Sequence, residues 1–185
     1  MSTTKKLILA SGSPRRAELL RQAGLDFEIV VPQIDESPLP GEAPDEFVCR
    51  TAREKAKSIP ANQLAILAAD TAVVDGTRIL GKPSDVADAV AMLRSLSGHT
   101  HEVMTGVCIR FPDRTVCFHI ETRVTFRSLS EPEIDAYVAS GEPMDKAGAY
   151  AIQGGAAKMV RRIEGSYSNV VGLPLCEVIE ELEKK

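Results

Sequence analysis

The segment Ser11-Gly12-Ser13-Pro14-Arg15-Arg16 carries two hydroxyls and two guanidinium groups between a short apolar run and an amphipathic stretch. The free N–H groups and positive dipole end of a first helical turn would face the same place, so an anion should bind there. Acidic residues are the usual occupants of such a turn; two arginines break that local preference, which favours a functional reading over solvated surface charge. The spacing is not that of a P-loop. Asp70-Thr71 follows the apolar run Leu64–Ala69, and Asp70 is the strongest catalytic candidate. Ligands of open α/β sheets bind beyond the ends of such strands.

Further groups carry weaker signals. Lys55 borders an apolar helical face, where a lysine either snorkels to water or points its ammonium into a cleft. Lys82, between Gly81 and Pro83, is held on constrained backbone, suited equally to aiming a charge at a phosphate and to an exposed turn. Glu36 and Asp35 open a Pro-rich loop; Glu36 as a metal ligand needs a second donor from elsewhere. Residues 141–155 combine four glycines with Asp145, Lys146, Tyr150 and Gln153, more hydrogen-bonding chemistry than a plain connection needs. His99 and His101 have no further ligands nearby in sequence and read as surface histidines rather than a metal site.

The elements that must position these groups follow from periodicity. Leu7–Ala10 predicts a buried strand, and the helix after it has Ser13 as N-cap, Pro14 at its first position and Gly24 as its stop. Phe27–Val31 predicts a second strand, and Asp45–Ile59 a helix. Leu64–Ala69 predicts a central strand that continues through Val74, and Asp75-Gly76 a hairpin returning over Arg78–Leu80. Ser84 is expected to cap a helix over 85–96, before a long hairpin of 101–111 and 115–129. Ser130-x-x-Glu133 is a capping box opening a helix through Ala139. Strand over 159–164, a turn at 166–169, extended chain over 170–172 and a final helix over 173–182 complete the prediction.

The chain has 185 residues with 44% hydrophobic, 26% charged and no Trp, the balance of an ordinary globular protein and enough for one domain over 1–185. A formal charge of −4 and few aromatics argue against nucleic-acid binding. No apolar run reaches the ~20 residues that cross a bilayer, so no membrane role is expected. The four cysteines include no C-x-x-C pair. Cys108 and Cys117 could face each other across the hairpin, but reduced thiols in the cytoplasm are the simpler expectation.

The motifs S-G-S-P-R-R (11–16), A-D-T (69–71), L-G-K-P (80–83), G-E-P-x-D-K-A-G-A-Y-x-I-Q-G (141–154) and G-S-Y-x-N-V-V-G-L-P-L (165–175) resemble, in order, those of the Maf family of nucleoside triphosphate pyrophosphatases. The second and fourth look like its dTTP/UTP branch rather than its 7-methyl-GTP branch. The resemblance implies an α/β fold similar to the Maf and inosine-triphosphatase group, with a mixed twisted sheet flanked by helices and two lobes around a deep cleft. It implies metal-dependent cleavage of a pyrimidine nucleoside triphosphate to monophosphate and pyrophosphate. It assigns Asp70 as catalytic base, associates Arg15, Thr71 and Gln153 with substrate choice, and lines the phosphate site with Ser11, Arg16, Glu36, Lys55 and Lys82; Ser13 joins them from the anion loop. Lys158 stands where an aromatic-rich segment is common in the family.

The residue chemistry agrees with that implication. Cleavage near the α-phosphorus needs positive charge on phosphate oxygens and a positioned water, and Arg15, Arg16, Lys55 and Lys82 supply charge. An ordinary aspartate, with a pKa of about 3.9, is a poor lone base toward water. A divalent cation, Mg²⁺ or Mn²⁺, held by Asp70 and Glu36 would close that gap. The Gln153 amide matches the N3–H and a carbonyl of uracil or thymine. A weakly catalytic nucleotide-binding regulator is the competing class, and a homodimer is compatible with the sequence.

Overall fold

The computed structural model describes residues 6–60 and 63–184. Its strands form a seven-stranded mixed sheet in the order β2-β1-β3-β5-β6-β7, with β4 on β3. The strands are β1 (Leu7–Leu9), β2 (Phe27–Ile29), β3 (Ala65–Asp75), β4 (Arg78–Leu80), β5 (Thr100–Arg110), β6 (Thr115–Phe126) and β7 (Val160–Glu164). The helices are α1 (Pro14–Gln22), α2 (Pro44–Ser58), α3 (Val86–Leu96), α4 (Glu131–Ala139), α5 (Tyr167–Val171) and α6 (Leu175–Glu183). β1 runs parallel to β2 and β3, whereas β4 is antiparallel to β3 and β7 to β6. The mixed α/β sheet flanked by helices matches the expected class.

The chain divides into two compact units, the first comprising Met1–Asp70, Thr105–Ile120 and Gly172–Lys185, the second Thr71–Met104 and Glu121–Val171. In the first unit the apolar run of β1 is buried on both faces, as a parallel strand between two neighbours must be. Ile8, Ile66, Ala68 and Cys108 from the sheet and Ala10 just after β1 pack with Ala52 and Ala56 of α2 and with Ile59, which follows it. The alanines let the helix lie close, and Gly106 closer still. A Cβ at Gly106 would sit 2.3 Å from the Val48 carbonyl, so backbone meets backbone there. α1 begins on Pro14 after an extended Ser13 and stops before Gly24 at φ +71°. The Ser13 hydroxyl makes no capping bond; instead the Ser13 N–H donates to Ser11 Oγ at 3.1 Å.

In the second unit α3 packs against α4 and against the 3-10 turns of 142–149. Gly148, at φ +67°, leaves no room for a Cβ, which would lie 2.8 Å from the Val73 side chain. Three expectations change. Asp85, not Ser84, caps α3, because its carboxylate accepts the Asp88 N–H at 2.8 Å. Residues 167–171 form a short helix where a turn and extended chain were expected: Ser166 Oγ accepts the Asn169 N–H, and this local bond outweighs the strand preference of Val170-Val171. His101 is buried, not a surface histidine; its Nε2 bonds the Tyr150 hydroxyl at 2.8 Å, and its ring packs edge-on against Phe126 and Tyr150. Burial pushes its pKa down to about 4, with Asp75 opposing, so it is neutral at neutral pH.

Candidate functional site

The first unit gathers a charged cluster from four separate segments. Leu9-Ala10 leads out of β1 into the loop that carries Ser11, and the first turn of α1 carries Arg15 and Arg16. Arg16 is buried at 8% exposure. Its Nε donates to the Gly172 carbonyl at 2.7 Å and its Nη1 to Ser11 Oγ at 3.2 Å. Ser11 Oγ thus accepts from both Arg16 and the Ser13 amide, which leaves its proton to be donated to a ligand. Burial lowers the Arg16 pKa, the charge of Asp70 raises it and that of Arg15 lowers it again. Arginine stays charged under any of these influences, so a buried cation sits at the N-terminus of α1, where the helix dipole adds to its field. Arg15 and Ser13 are half-buried on the same turn.

Lys55 lies on the inner face of α2, close to the sheet because of Ala52, Ala56 and Gly106. It is 5% exposed, so the snorkelling alternative fails. Its ammonium donates to Asp70 Oδ1 at 2.7 Å and to Glu36 Oε2 at 2.9 Å. Asp70, 7% exposed, is the last first-unit residue of β3. It stands mid-strand, as the expected continuation through Val74 requires, since β3 runs on to Asp75. Glu36 reaches in from the exposed Pro-rich loop. Two carboxylates, buried Asp70 and exposed Glu36, thus share one buried ammonium near a buried guanidinium.

The donor set can be weighed against a metal ion. Among the described residues no group of three or more His, Cys, Asp or Glu side chains could enclose one. Asp70 and Glu36 offer two hard oxygen donors at one place. Mg²⁺ is commonly held by one or two carboxylates, completing its shell with waters and substrate phosphates, and this pair fits that mode.

The remaining expected residues belong to the second unit. Thr71 follows Asp70 on β3. Lys82 is exposed in the turn after β4, and Gln153 is exposed in the loop before β7. Tyr137 and Glu142 were not singled out in the sequence, yet they organise that loop. Tyr137 Oη donates to Glu142 Oε1 at 2.8 Å and accepts the Ala151 N–H at 3.1 Å. The Glu142 carboxylate accepts the Gly155 N–H at 3.0 Å. Gln153 is therefore bracketed by fixed points at Ala151 and Gly155. The signal for Glu142 was its place beside Gly141, which enters the left-handed region at φ +77°.

A profile of the family described as Maf-like protein matches residues 6–185. The chain belongs to the Maf-like family. A relative from Geobacter sulfurreducens, described as a dTTP/UTP pyrophosphatase, is 55% identical over 183 residues, covering 97% of this chain and 96% of its own. A Bacillus cereus protein with the same description is 51% identical and covers 97% of this chain and 90% of its own. The Ham1 protein structure from Staphylococcus aureus superposes with a TM-score of 0.53 at 15% identity, covering 97% of this chain and all of that one. A HAM1 protein from Coxiella burnetii gives 0.51 at 16% identity over 96% of this chain and 98% of that one. At such identity these two speak for the fold alone. No described helix is long and apolar enough to cross a membrane.

Proposed function

We propose that this chain hydrolyses dTTP and UTP to the nucleoside monophosphate and pyrophosphate. The observation that carries the chemistry is Lys55 Nζ at 2.7 Å from the buried Asp70 carboxylate, within the field of the buried Arg16. The relatives named dTTP/UTP pyrophosphatase support the substrate class over 7-methyl-GTP. The reading has the amides of α1, the Ser11 and Ser13 hydroxyls, Arg15 and Arg16 receive the triphosphate, as helix N-termini with added cations do. Lys82 adds charge to the leaving pyrophosphate. Asp70 orients the attacking water and takes its proton. Lys55 fixes the carboxylate while Glu36 anchors Lys55 from the other side, so the base cannot rotate away. Asp70 and Glu36 would hold Mg²⁺ or Mn²⁺, which when bound polarises phosphate oxygens and makes coordinated water more acidic.

Thr71 and Gln153 contribute to substrate choice in this reading. A glutamine amide pairs its acceptor with the N3–H and its donor with a carbonyl of uracil or thymine, while cytosine presents the reverse order. A cytoplasmic nucleotide pool is the matching location. The test is a nucleotide panel with Mg²⁺, Mn²⁺ and a chelator, separating monophosphate plus pyrophosphate from diphosphate plus phosphate. The expected result is metal-dependent monophosphate and pyrophosphate from dTTP and UTP. Binding without turnover would favour a nucleotide-binding regulator instead.

A further inference from the structure

Beneath the edge of α2, on the strands it packs against and away from any use in the reading above, two cysteines meet. Cys108 on β5 and Cys117 on β6 place their sulfurs 2.7 Å apart. The Phe111 N–H donates to the Arg114 carbonyl and closes the turn of this hairpin. Counting back along both strands from that pair sets Cys108 opposite Cys117, at a position whose Cα separation on antiparallel strands suits a disulfide. The two thiols differ in access. Cys108 is 1% exposed within the apolar cluster of Ile8, Ala52, Ala56 and Ile66. Cys117 is half-buried, and both residues line an open cavity of about 420 Å³ with Arg53, Ala56, Lys57, Arg110 and Thr115.

The charges around this cavity favour an anion on one sulfur. The contact with Cys108 lowers the Cys117 pKa; burial opposes it, and the Arg53 guanidinium and Lys57 ammonium lower it further. The Cys108 pKa is raised by its bond to Cys117 and by burial. Beside Arg53 and Lys57 the more exposed Cys117 is therefore the sulfur whose anion is favoured, while burial disfavours ionisation of Cys108. Arg110 is committed to the Ile59 carbonyl, so Arg53 and Lys57 are the cations that answer to Cys117.

We propose that Cys117 and Cys108 form a peroxide-reactive dithiol, in which Cys117 attacks and Cys108 resolves. The Cys117 thiolate attacks one oxygen of hydrogen peroxide, the O–O bond breaks, and hydroxide leaves as a sulfenic acid forms; a proton from solvent turns the hydroxide to water. The Cys108 thiol then displaces that sulfenic hydroxyl, forming the S–S bond and a second water. Two electrons leave the sulfurs and two reduce the peroxide. Cationic, partly exposed surroundings are those of reactive rather than inert cysteines, and the second sulfur is already in contact.

The experiment treats the full-length protein with hydrogen peroxide, blocks remaining thiols with N-ethylmaleimide and maps peptides by mass. A Cys108–Cys117 link, with Cys49 and Cys176 still alkylated in the same chain, is expected. In Cys108→Ser, a sulfenic acid at Cys117 should be trapped by dimedone. In Cys117→Ser, Cys108 should react with peroxide at least ~10-fold more slowly than Cys117 does in Cys108→Ser, because only the buried thiol is left. Arg53→Gln, which keeps both cysteines, should slow the first step while leaving the melting temperature near the parent value. Oxidation of Cys49 or Cys176 without the link, or a Cys108 in Cys117→Ser as reactive as Cys117 is in Cys108→Ser, overturns the proposal. If a serine variant fails to fold, the parent's peptide map and Arg53→Gln still decide it. The readout uses no nucleotide, so its outcome is independent of the catalytic reading.

Discussion

Removing the charge of Lys55 tests whether the buried pair is the unit that holds the base. The Lys55 and Asp70 side chains are 6% and 10% exposed, and their charged atoms lie 2.7 Å apart. At an effective dielectric of about 20 that separation gives a gross attraction of about 6 kcal/mol, most of it offset by desolvation of both ions. Lys55→Met leaves Asp70 buried without that cation and should cost about 3–5 kcal/mol. Asp70→Asn leaves Lys55 its bond to Glu36 at 2.9 Å, so its cost should be smaller, about 1–2 kcal/mol. The double variant should be more stable than the sum of the singles implies by about 2 kcal/mol. Urea unfolding of the four proteins measures the cycle. Additivity within ~0.5 kcal/mol would refute the reasoning, because partners in contact must couple. Pyrophosphate release by the same proteins adds a second criterion: Asp70→Asn should fold yet turn over roughly 10²-fold more slowly or worse.

Other perturbations reach the site from outside it. Gly106→Ala puts a Cβ 2.3 Å from the Val48 carbonyl and must push α2 outward; a loss of about 1–3 kcal/mol in urea unfolding is expected, with reduced turnover because α2 carries Lys55, and unchanged stability would contradict the close approach. His101, held at about 4 in the fold against 6.5 when unfolded, takes up a proton only on unfolding between those values. Stability should therefore be full above pH 6.5 and fall by about 3 kcal/mol toward pH 4, a slope that His101→Gln should lack; identical acid profiles would refute it. Gln153→Ala should reduce the preference for UTP and dTTP over CTP in kcat/KM, and unchanged ratios would remove Gln153 from base choice.

The parts of the fold written in short-range pattern were legible beforehand. β1, α1 with Pro14 and Gly24, the capping box of α4 and the β3–β4 hairpin all follow from local residue chemistry. Lys55 was ambiguous because a helical wheel shows which face a lysine borders and not how close the sheet lies; Gly106, over fifty positions away, settles that distance. His101 was misread for the same reason, since its partners Phe126 and Tyr150 come from remote strands and loops. Ser84 and Asp85 are both good caps, and only backbone geometry chooses between them. Asp70 was picked out by its apolar run, and its place within a strand continuing through Val74 was legible too, because Ala72, Val73 and Val74 carry the strand pattern on. Tyr137 and Glu142 act through bonds to main-chain groups, which leave little trace in composition.

The central claim is that water attacks the α-phosphorus of a pyrimidine nucleoside triphosphate beside Asp70. Hydrolysis of dTTP in H₂¹⁸O with Mg²⁺, followed by mass analysis of both products, tests it most directly. The account predicts one ¹⁸O in dTMP and none in pyrophosphate, with the signal abolished in folded Asp70→Asn. Label in pyrophosphate, or dTDP and phosphate as products, would contradict it.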